Sequence, residues 1–151
     1  MIAKNKLVLM VDDDEEDVYL TKRAFCGHMK SLVFKSVPDS PSMFNYLYRR
    51  GEFDALETSN IPQLILLDIN IPKENGFEIL KKLRQDPEHG HIPVTMLTTS
   101  TAEHDVRQAY RLGASSFISK SVSASEMKRV AEHFCNYWFD LAHVPDTQPR
   151  N

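Results

Sequence analysis

An unbroken apolar run that ends in a single carboxylate constrains the fold of this chain more than any other feature. Residues 64–67 are Leu-Ile-Leu-Leu, Asp68 follows them directly, and Pro72 comes four positions later. Since successive side chains of a strand point to opposite faces, such a run is typical of a central parallel strand with helices on both sides. Asp68 then lies at the carboxyl end of the strand, where open α/β sheets bind their ligands.

The remainder of the chain alternates between short apolar runs and segments with helical spacing of apolar residues. The predicted strands, each followed by a helix, are residues 7–11, 32–37, 64–67, 93–98 and 116–119. Helix starts are indicated by Ser40 as an N-cap before Pro41 and by capping boxes at residues 100–103 and 123–126. This alternation predicts a doubly wound, flavodoxin-like α/β fold with five parallel strands in the order 2-1-3-4-5.

The length and composition are those of one globular domain. The 151 residues are 42% hydrophobic and 26% charged, which suffices for a core without disulfides or structural metal. We expect residues 1–144 to form one domain with an extended last helix. We expect residues 145–151 to be a polar, disordered tail, too short to fold into an output domain.

Charge and cysteine content exclude several classes of function. A net charge of −3 provides no electrostatic footprint for nucleic acid or an anionic membrane. Cys26 and Cys135 form neither a disulfide framework nor a zinc motif. The first residues lack the apolar segment of a signal peptide, and no apolar run approaches the ~20 residues that span a bilayer. We therefore expect a cytoplasmic protein with no nucleic-acid or membrane partner.

Four predicted strands end in polar residues that topology would gather at one edge of the sheet: Asp12 with Asp13, then Asp68, Thr98 and Lys120. Because neighbouring strands lie roughly 4.8 Å apart, the three carboxylates would be within several ångströms of each other. Their repulsion predicts a hard divalent cation, with Mg²⁺ the abundant candidate and Mn²⁺ a substitute. Metal, ammonium and hydroxyl groups around a nucleophilic carboxylate favour phosphoryl transfer to Asp68.

The sequence resembles a response-regulator receiver domain of two-component phosphorelay signalling over residues 6–141. The resemblance rests on residues 9–13, 66–72, Gly76, residues 97–98 and residues 117–120. Residues 97–100, Ser121 and the aromatic end of the chain resemble the stand-alone regulators that serve cyanobacterial and bacterial phytochromes.

The resemblance implies that Asp68 accepts phosphate from a histidine kinase, of phytochrome type, or from a histidine phosphotransfer protein. It implies that Asp13, Asp68 and the main-chain oxygen of Asn70 bind Mg²⁺ directly, with Asp12 acting through water. The chemistry would be limited to self-phosphorylation and self-dephosphorylation, so the protein would be a signalling protein and not an enzyme.

Further roles follow from the same resemblance. Lys120 would pair with the phosphoryl oxygens, Thr98 would swing toward the phosphate, and Phe117 would turn inward behind it as a switch. Asn70 and Ser100 flank the site and are expected to tune the attacking water during dephosphorylation.

Three positions depart from the family pattern. Phe117 stands where tyrosine is frequent, so the switch has no phenolic hydroxyl. Thr99 replaces a smaller residue and would narrow access to Asp68. Ser121 replaces a proline whose preceding peptide bond is typically cis, a geometry that is much costlier before serine.

Two other functions compete with this interpretation. One is a receiver fold used as a constitutive, unphosphorylated scaffold, which retention of all four strand-end positions opposes. The other is a haloacid-dehalogenase-like phosphatase, which would need an acid at Asn70 and its nucleophile on the first strand. His89 and His91 precede the fourth strand, at the opposite end of the sheet from the acids, and predict a solvated loop and not a metal site.

The last helix has more apolar surface than one face can bury. Cys135, Tyr137, Phe139 and Leu141 lie outside the face that covers the core. Excess apolar surface of this kind typically marks an interface. We therefore expect a homodimer that forms through this helix and the neighbourhood of the fifth strand, with Tyr137 and Phe139 on its surface.

Overall fold

A five-stranded parallel sheet forms the centre of the protein. The computed structural model describes residues 6–56, 61–120 and 123–144. The strands lie in the order β2-β1-β3-β4-β5, as predicted, and each neighbouring pair runs parallel. Their bounds are β1 (Leu7–Val11), β2 (Val33–Val37), β3 (Leu64–Leu67), β4 (Val94–Thr98) and β5 (Ser116–Ser119).

Helices cover both faces of this sheet. They are α1 (Glu15–His28), α2 (Ser40–Leu47), α3 (Gly76–Gln85), α4 (Glu103–Arg111) and α5 (Ala124–Cys135). A short 3-10 turn, Gly51–Phe53, follows α2, and the π-helical segment Asn136–Leu141 continues α5.

Alternate residues of each central strand belong to opposite cores. Val8 and Met10 of β1 pack with Phe25 of α1 and Phe134 of α5. Leu9 and Val11 belong to the core on the other face, to which α2, α3 and α4 contribute. Every residue of β1, β3 and β4 is buried, whereas the edge strands β2 and β5 are partly exposed. The apolar runs therefore form central strands because both of their faces are covered.

Two of the predicted helix starts are wrong. The N-cap of α2 is Asp39, whose carboxylate accepts the Ser42 N–H at 2.9 Å, so Ser40 is the first helical residue. Helix α4 begins at Glu103 with no side-chain cap. The Ser100 hydroxyl, which was expected to cap it, instead donates to Asp105 at 2.5 Å.

The start of α5 agrees with the prediction, since the Ser123 hydroxyl accepts the Glu126 N–H at 3.2 Å. The expected tail over residues 145–151, Ser121 and residues 57–60 lie outside the described part of the chain. None of the helices within that part is long and apolar enough to cross a bilayer.

Candidate phosphoacceptor site

The ammonium of Lys120 joins three carboxylates at the carboxyl edge of the sheet. Its Nζ lies 2.6 Å from Asp12 Oδ2, 2.8 Å from Asp17 Oδ2 and 2.9 Å from Asp68 Oδ2. The ends of β1, β3 and β5 and the first turn of α1 thus meet at one atom. Since a lysine ammonium has three N–H donors, these contacts match its full donor capacity.

Backbone contacts fix the groups that converge on this ammonium. The Lys120 N–H donates to the Thr98 carbonyl at 2.7 Å, which extends the β4–β5 pairing by one residue. Asp12 Oδ1 accepts the Asp14 N–H at 2.9 Å, and Asp68 Oδ1 accepts the Asn70 N–H at 3.3 Å. Both carboxylates therefore have one oxygen held by the main chain and one directed at Lys120.

Gly76 is required beside the Asp68 main chain. Its N–H donates to the Ile69 carbonyl at 2.7 Å, where the β3–α3 connection folds back on the strand end. A Cβ at Gly76 would collide with the carbonyl oxygen of Asp68. Glycine at this position therefore allows α3 to start against the backbone that carries the carboxylate.

Burial and ion pairing shift the pKa values of Asp12 and Lys120. The side chains of Asp12, Asp68 and Lys120 are 1%, 8% and 7% exposed. Burial raises the pKa of Asp12, although the hydrogen bond from Lys120 opposes this effect. Burial acts to lower the pKa of Lys120, but its bonds to Asp12, Asp17 and Asp68 prevail and raise that pKa. The lysine is therefore a permanent cation at neutral pH.

The other predicted site residues lie around this centre. Asp13 is exposed and lines an adjacent cleft with Pro72 and Lys73. Thr98 is fully buried, and its hydroxyl oxygen lies 3.5 Å from the Ser100 N–H. Phe117 is partly buried against the core that contains α2, α3 and α4.

Asn70 and Thr99 are exposed, and Ser100 is half-buried. The ammonium of Lys120 thus contacts Asp12 and Asp68 directly. Asp13 is not among the three carboxylates that it contacts.

Asp17 is a site contact that the predicted strand ends do not include, since it lies within α1. Its position four residues before the buried Thr21 places Asp17 on the face of α1 that packs against the protein. This helical spacing was the available signal. Asp14 does cap α1, since its carboxylate accepts the N–H groups of Glu16 and Asp17.

The prediction of a solvated loop at His89 is wrong. His89 is 4% exposed, and its ring packs edge-on against Tyr48 at 4.7 Å between centroids. Its Nδ1 lies 3.2 Å from Asp86 Oδ1. His91 is exposed, as expected. Tyr48, which follows α2, and Asp86, three residues earlier in the same loop, explain the difference, since they provide contacts for the imidazole away from water.

The apolar surface of the last helix is smaller than predicted. Cys135 is fully buried, and Phe139 is partly buried against the core of α1 and α5. Tyr137 and Leu141 are 55% and 73% exposed. The change from α-helical to π-helical geometry after Cys135 alters which side chains share a face.

The donor set fits a hard divalent cation. Within residues 6–56, 61–120 and 123–144, no three His, Cys, Asp or Glu side chains are arranged as a metal site, and Lys120 lies between the carboxylates. Carboxylate oxygens are nevertheless the ligands that Mg²⁺ prefers. Asp12 and Asp68 both direct an oxygen at the Lys120 ammonium, so their carboxylates lie close enough together to bind a positive charge.

Comparison with known proteins agrees with this geometry. Residues 8–132 match the response regulator receiver domain family. The chain therefore belongs to the response regulator receiver domain family, whose members are signalling proteins of two-component systems and not classical enzymes. It contains one such domain and is related to phytochrome response regulators.

One sequence relative and two solved structures illustrate that relationship. Response regulator Rcp1 of Synechocystis sp. is 30% identical over 140 residues, which cover 93% of each protein. The structure of the phosphorylated cyanobacterial phytochrome response regulator RcpA has a TM-score of 0.83 at 30% identity and covers 94% of this chain and 99% of that one. The Mn²⁺-bound form of Rcp1 has a TM-score of 0.80 at 28% identity and covers 93% and 99%.

Proposed function

We propose that Asp68 accepts a phosphoryl group from the phosphohistidine of a sensor histidine kinase, of phytochrome type, or of a histidine phosphotransfer protein. The observation that carries this proposal is the contact of Asp68 with a buried, permanently charged Lys120 at the carboxyl end of β3. The phosphorylated state of the similar regulator RcpA supports it.

The transfer exchanges one bond to phosphorus for another. An oxygen of the Asp68 carboxylate attacks phosphorus, and an O–P bond forms as the P–N bond to the imidazole breaks. The departing nitrogen keeps the electron pair of the broken bond and takes up a proton, which regenerates neutral histidine. Lys120 stabilises the negative charge of the transferred oxygens, because a fixed cation in a buried site needs little reorganisation.

We propose Mg²⁺ as the cofactor, with Mn²⁺ as a substitute. Asp13, Asp68 and the main-chain oxygen of Asn70 would hold the ion directly, with Asp12 acting through water. When bound, the ion supplies charge neutralisation for the phosphoryl oxygens. The Mn²⁺-bound form of the similar Rcp1 and the oxygen donors present here support this assignment.

We also propose that Thr98 moves toward the phosphoryl group and that Phe117 follows it inward. The half-buried position of Phe117 leaves room for a change in its packing. Asn70 and Ser100 would then adjust access of water to the aspartyl phosphate. The output is protein–protein interaction in the cytoplasm, without nucleic acid or membrane as a partner.

Homodimerisation through the last helix and β5 is part of the same proposal. The exposed Tyr137 and Leu141 support it, whereas Phe139 contributes less because it packs inward. We expect Tyr137→Glu with Leu141→Glu to lower the mass measured by light scattering. A wild-type protein that is already monomeric would contradict the dimer.

Incubation with Mg²⁺ and acetyl phosphate, followed by intact mass measurement, tests the proposed function. We expect the wild type to gain one phosphoryl group and Asp68→Asn to gain none. A wild type that gains none would instead favour a constitutive scaffold. Steady release of inorganic phosphate from a phosphomonoester would favour a phosphatase, although the amide at Asn70 and the third-strand position of Asp68 oppose that activity.

A further inference from the structure

Asp17 stands out among the three partners of Lys120 because it is the most exposed. Its side chain is 35% exposed, compared with 1% for Asp12 and 8% for Asp68. Breaking the contact of Lys120 with Asp17 therefore costs less than breaking either of the others, since water can solvate the released carboxylate.

The main chain holds Asp17 in position to make this contact. Its N–H donates to Asp14 Oδ1 at 3.1 Å, and its carbonyl accepts the hydroxyl of the buried Thr21 at 2.7 Å. On the other side, the Lys120 backbone is fixed to Thr98. The ion pair therefore joins the first turn of α1 to the residue that follows β5.

A phosphoryl group on Asp68 would need a hydrogen-bond donor from Lys120. The three N–H donors of this ammonium already match three carboxylates, so a new acceptor must replace one of them. The phosphorylated carboxyl group of Asp68 loses its charge and becomes a poor acceptor, so its donor passes to one phosphoryl oxygen. A second phosphoryl oxygen needs a donor that now bonds Asp12 or Asp17, and Asp12 is almost completely buried. Asp17 is left as the partner that is exchanged.

We propose that Asp17 is a positioning residue whose carboxylate holds Lys120 before phosphorylation and is replaced by a phosphoryl oxygen afterwards. This inference rests on the proposed function and deepens it. Asp17 thereby competes with the incoming phosphoryl group for the ammonium. Its release also frees the first turn of α1 from the residue after β5, so the state of Asp68 is transmitted to α1.

The kinetics of phosphorylation by acetyl phosphate test the competition. Initial rates would be measured on the full chain at saturating Mg²⁺ for the wild type, Asp17→Asn and Glu16→Gln. Glu16 is a matched control, because it is an exposed acid of the same helical turn and its loss changes the net charge equally.

We expect Asp17→Asn to lower KM for acetyl phosphate about 3- to 5-fold with an unchanged maximal rate, since an ion pair of this exposure has a modest free energy. Glu16→Gln should change KM by less than about 1.5-fold, the small effect of a screened surface charge. Asp17→Glu should restore most of the wild-type KM. An unchanged or raised KM in Asp17→Asn, or an equal decrease in Glu16→Gln, would overturn the inference.

Hydrogen exchange provides a second readout, which can be measured on the wild type as well as on Asp17→Asn. Phosphorylation of the wild type should speed exchange of the Asp17 and Val18 amides, and Asp17→Asn should show this faster exchange without phosphate. Unchanged exchange of these two amides in the phosphorylated wild type would overturn this inference but not the proposed function. A wild type that cannot be phosphorylated would overturn the proposed function and this inference with it.

Discussion

Two buried carboxylates at opposite ends of the sheet have opposite electrostatic environments. Asp12, at the carboxyl edge, has a pKa that burial raises despite the bond from Lys120. Asp86, between α3 and β4, has a pKa that burial would raise but that its hydrogen bonds lower, foremost the bond from Tyr48. Their side chains are similarly buried, at 1% and 9% exposure.

The number of donors available to each carboxylate explains the difference. Asp86 accepts the Tyr48 hydroxyl at 2.7 Å, the N–H groups of Glu88 and His89 at 3.0 and 2.9 Å, and faces His89 Nδ1 at 3.2 Å. Asp12 accepts one backbone N–H, that of Asp14 at 2.9 Å, and shares one ammonium with two other carboxylates. The saturated carboxylate stabilises the fold, whereas the undersupplied one still has acceptor capacity for a cation.

Removing the saturated carboxylate should have the largest effect on stability. Asp86→Ala leaves the Tyr48 hydroxyl and two backbone N–H groups without their acceptor, so we expect a loss of about 3 kcal/mol in the free energy of unfolding. Urea denaturation at pH 7 measures this loss. Glu132→Ala, at an exposed position of α5, should change the free energy of unfolding by less than about 0.5 kcal/mol. Equal losses of unfolding free energy in Asp86→Ala and Glu132→Ala would contradict a special stabilising role for Asp86.

The pH dependence at Asp86 has a definite sign. Because its pKa is lowered on folding, its contribution is complete above the unfolded value of about 3.9 and is lost as pH falls through the folded value. The difference in stability between wild type and Asp86→Ala should therefore shrink on acidification below about pH 4.

Neutralising the undersupplied carboxylate should have the opposite effect. We expect Asp12→Asn to raise the free energy of unfolding slightly at pH 7 without divalent cations, because burial of Asp12 favours its uncharged form. Because the pKa of Asp12 is raised on folding, the stability contributed by its protonated form is complete below the unfolded pKa of about 3.9. This contribution is lost as pH rises through the pKa of the folded state. Thermal unfolding in EDTA from pH 4 to 7 would measure how the stability difference between wild type and Asp12→Asn changes with pH. A variant less stable than the wild type at pH 7 would contradict the prediction.

Removal of a single donor to Asp86 should cost less stability than removal of the carboxylate itself. Tyr48→Phe removes the hydroxyl that bonds Asp86, and we expect a loss of about 1 kcal/mol in denaturant unfolding. That bond raises the pKa of Tyr48 to about 12, so its contribution should persist to about pH 10, the unfolded value, and be lost as pH rises toward 12. A Tyr48→Phe variant as unstable as Asp86→Ala would show that the other bonds to Asp86 contribute little.

The structure confirms the predicted strand order, and it places Asp12 and Asp68 in contact with Lys120. Apolar runs and the polar residues that end them are local patterns, and the topology of parallel sheets places their carboxyl ends together. The cap at Ser40 and the capping box at Ser100 failed because neighbouring residues offered competing partners, Asp39 for α2 and Asp105 for the Ser100 hydroxyl. Such competition depends on geometry that spacing does not specify.

The sequence by itself determined the sheet, its order and the edge at which Asp68 lies, because burial of alternating side chains requires specific patterns of apolar residues. Only the tertiary structure decided that Asp17 belongs to the site and that His89 belongs to the core. The positions of these two side chains depend on the direction in which each leaves its helix or loop, and on which groups of the neighbouring elements lie within reach of it. Lys120 and Asp17 are 103 residues apart in the sequence, and their contact depends on how α1 packs against the sheet whose last strand is β5.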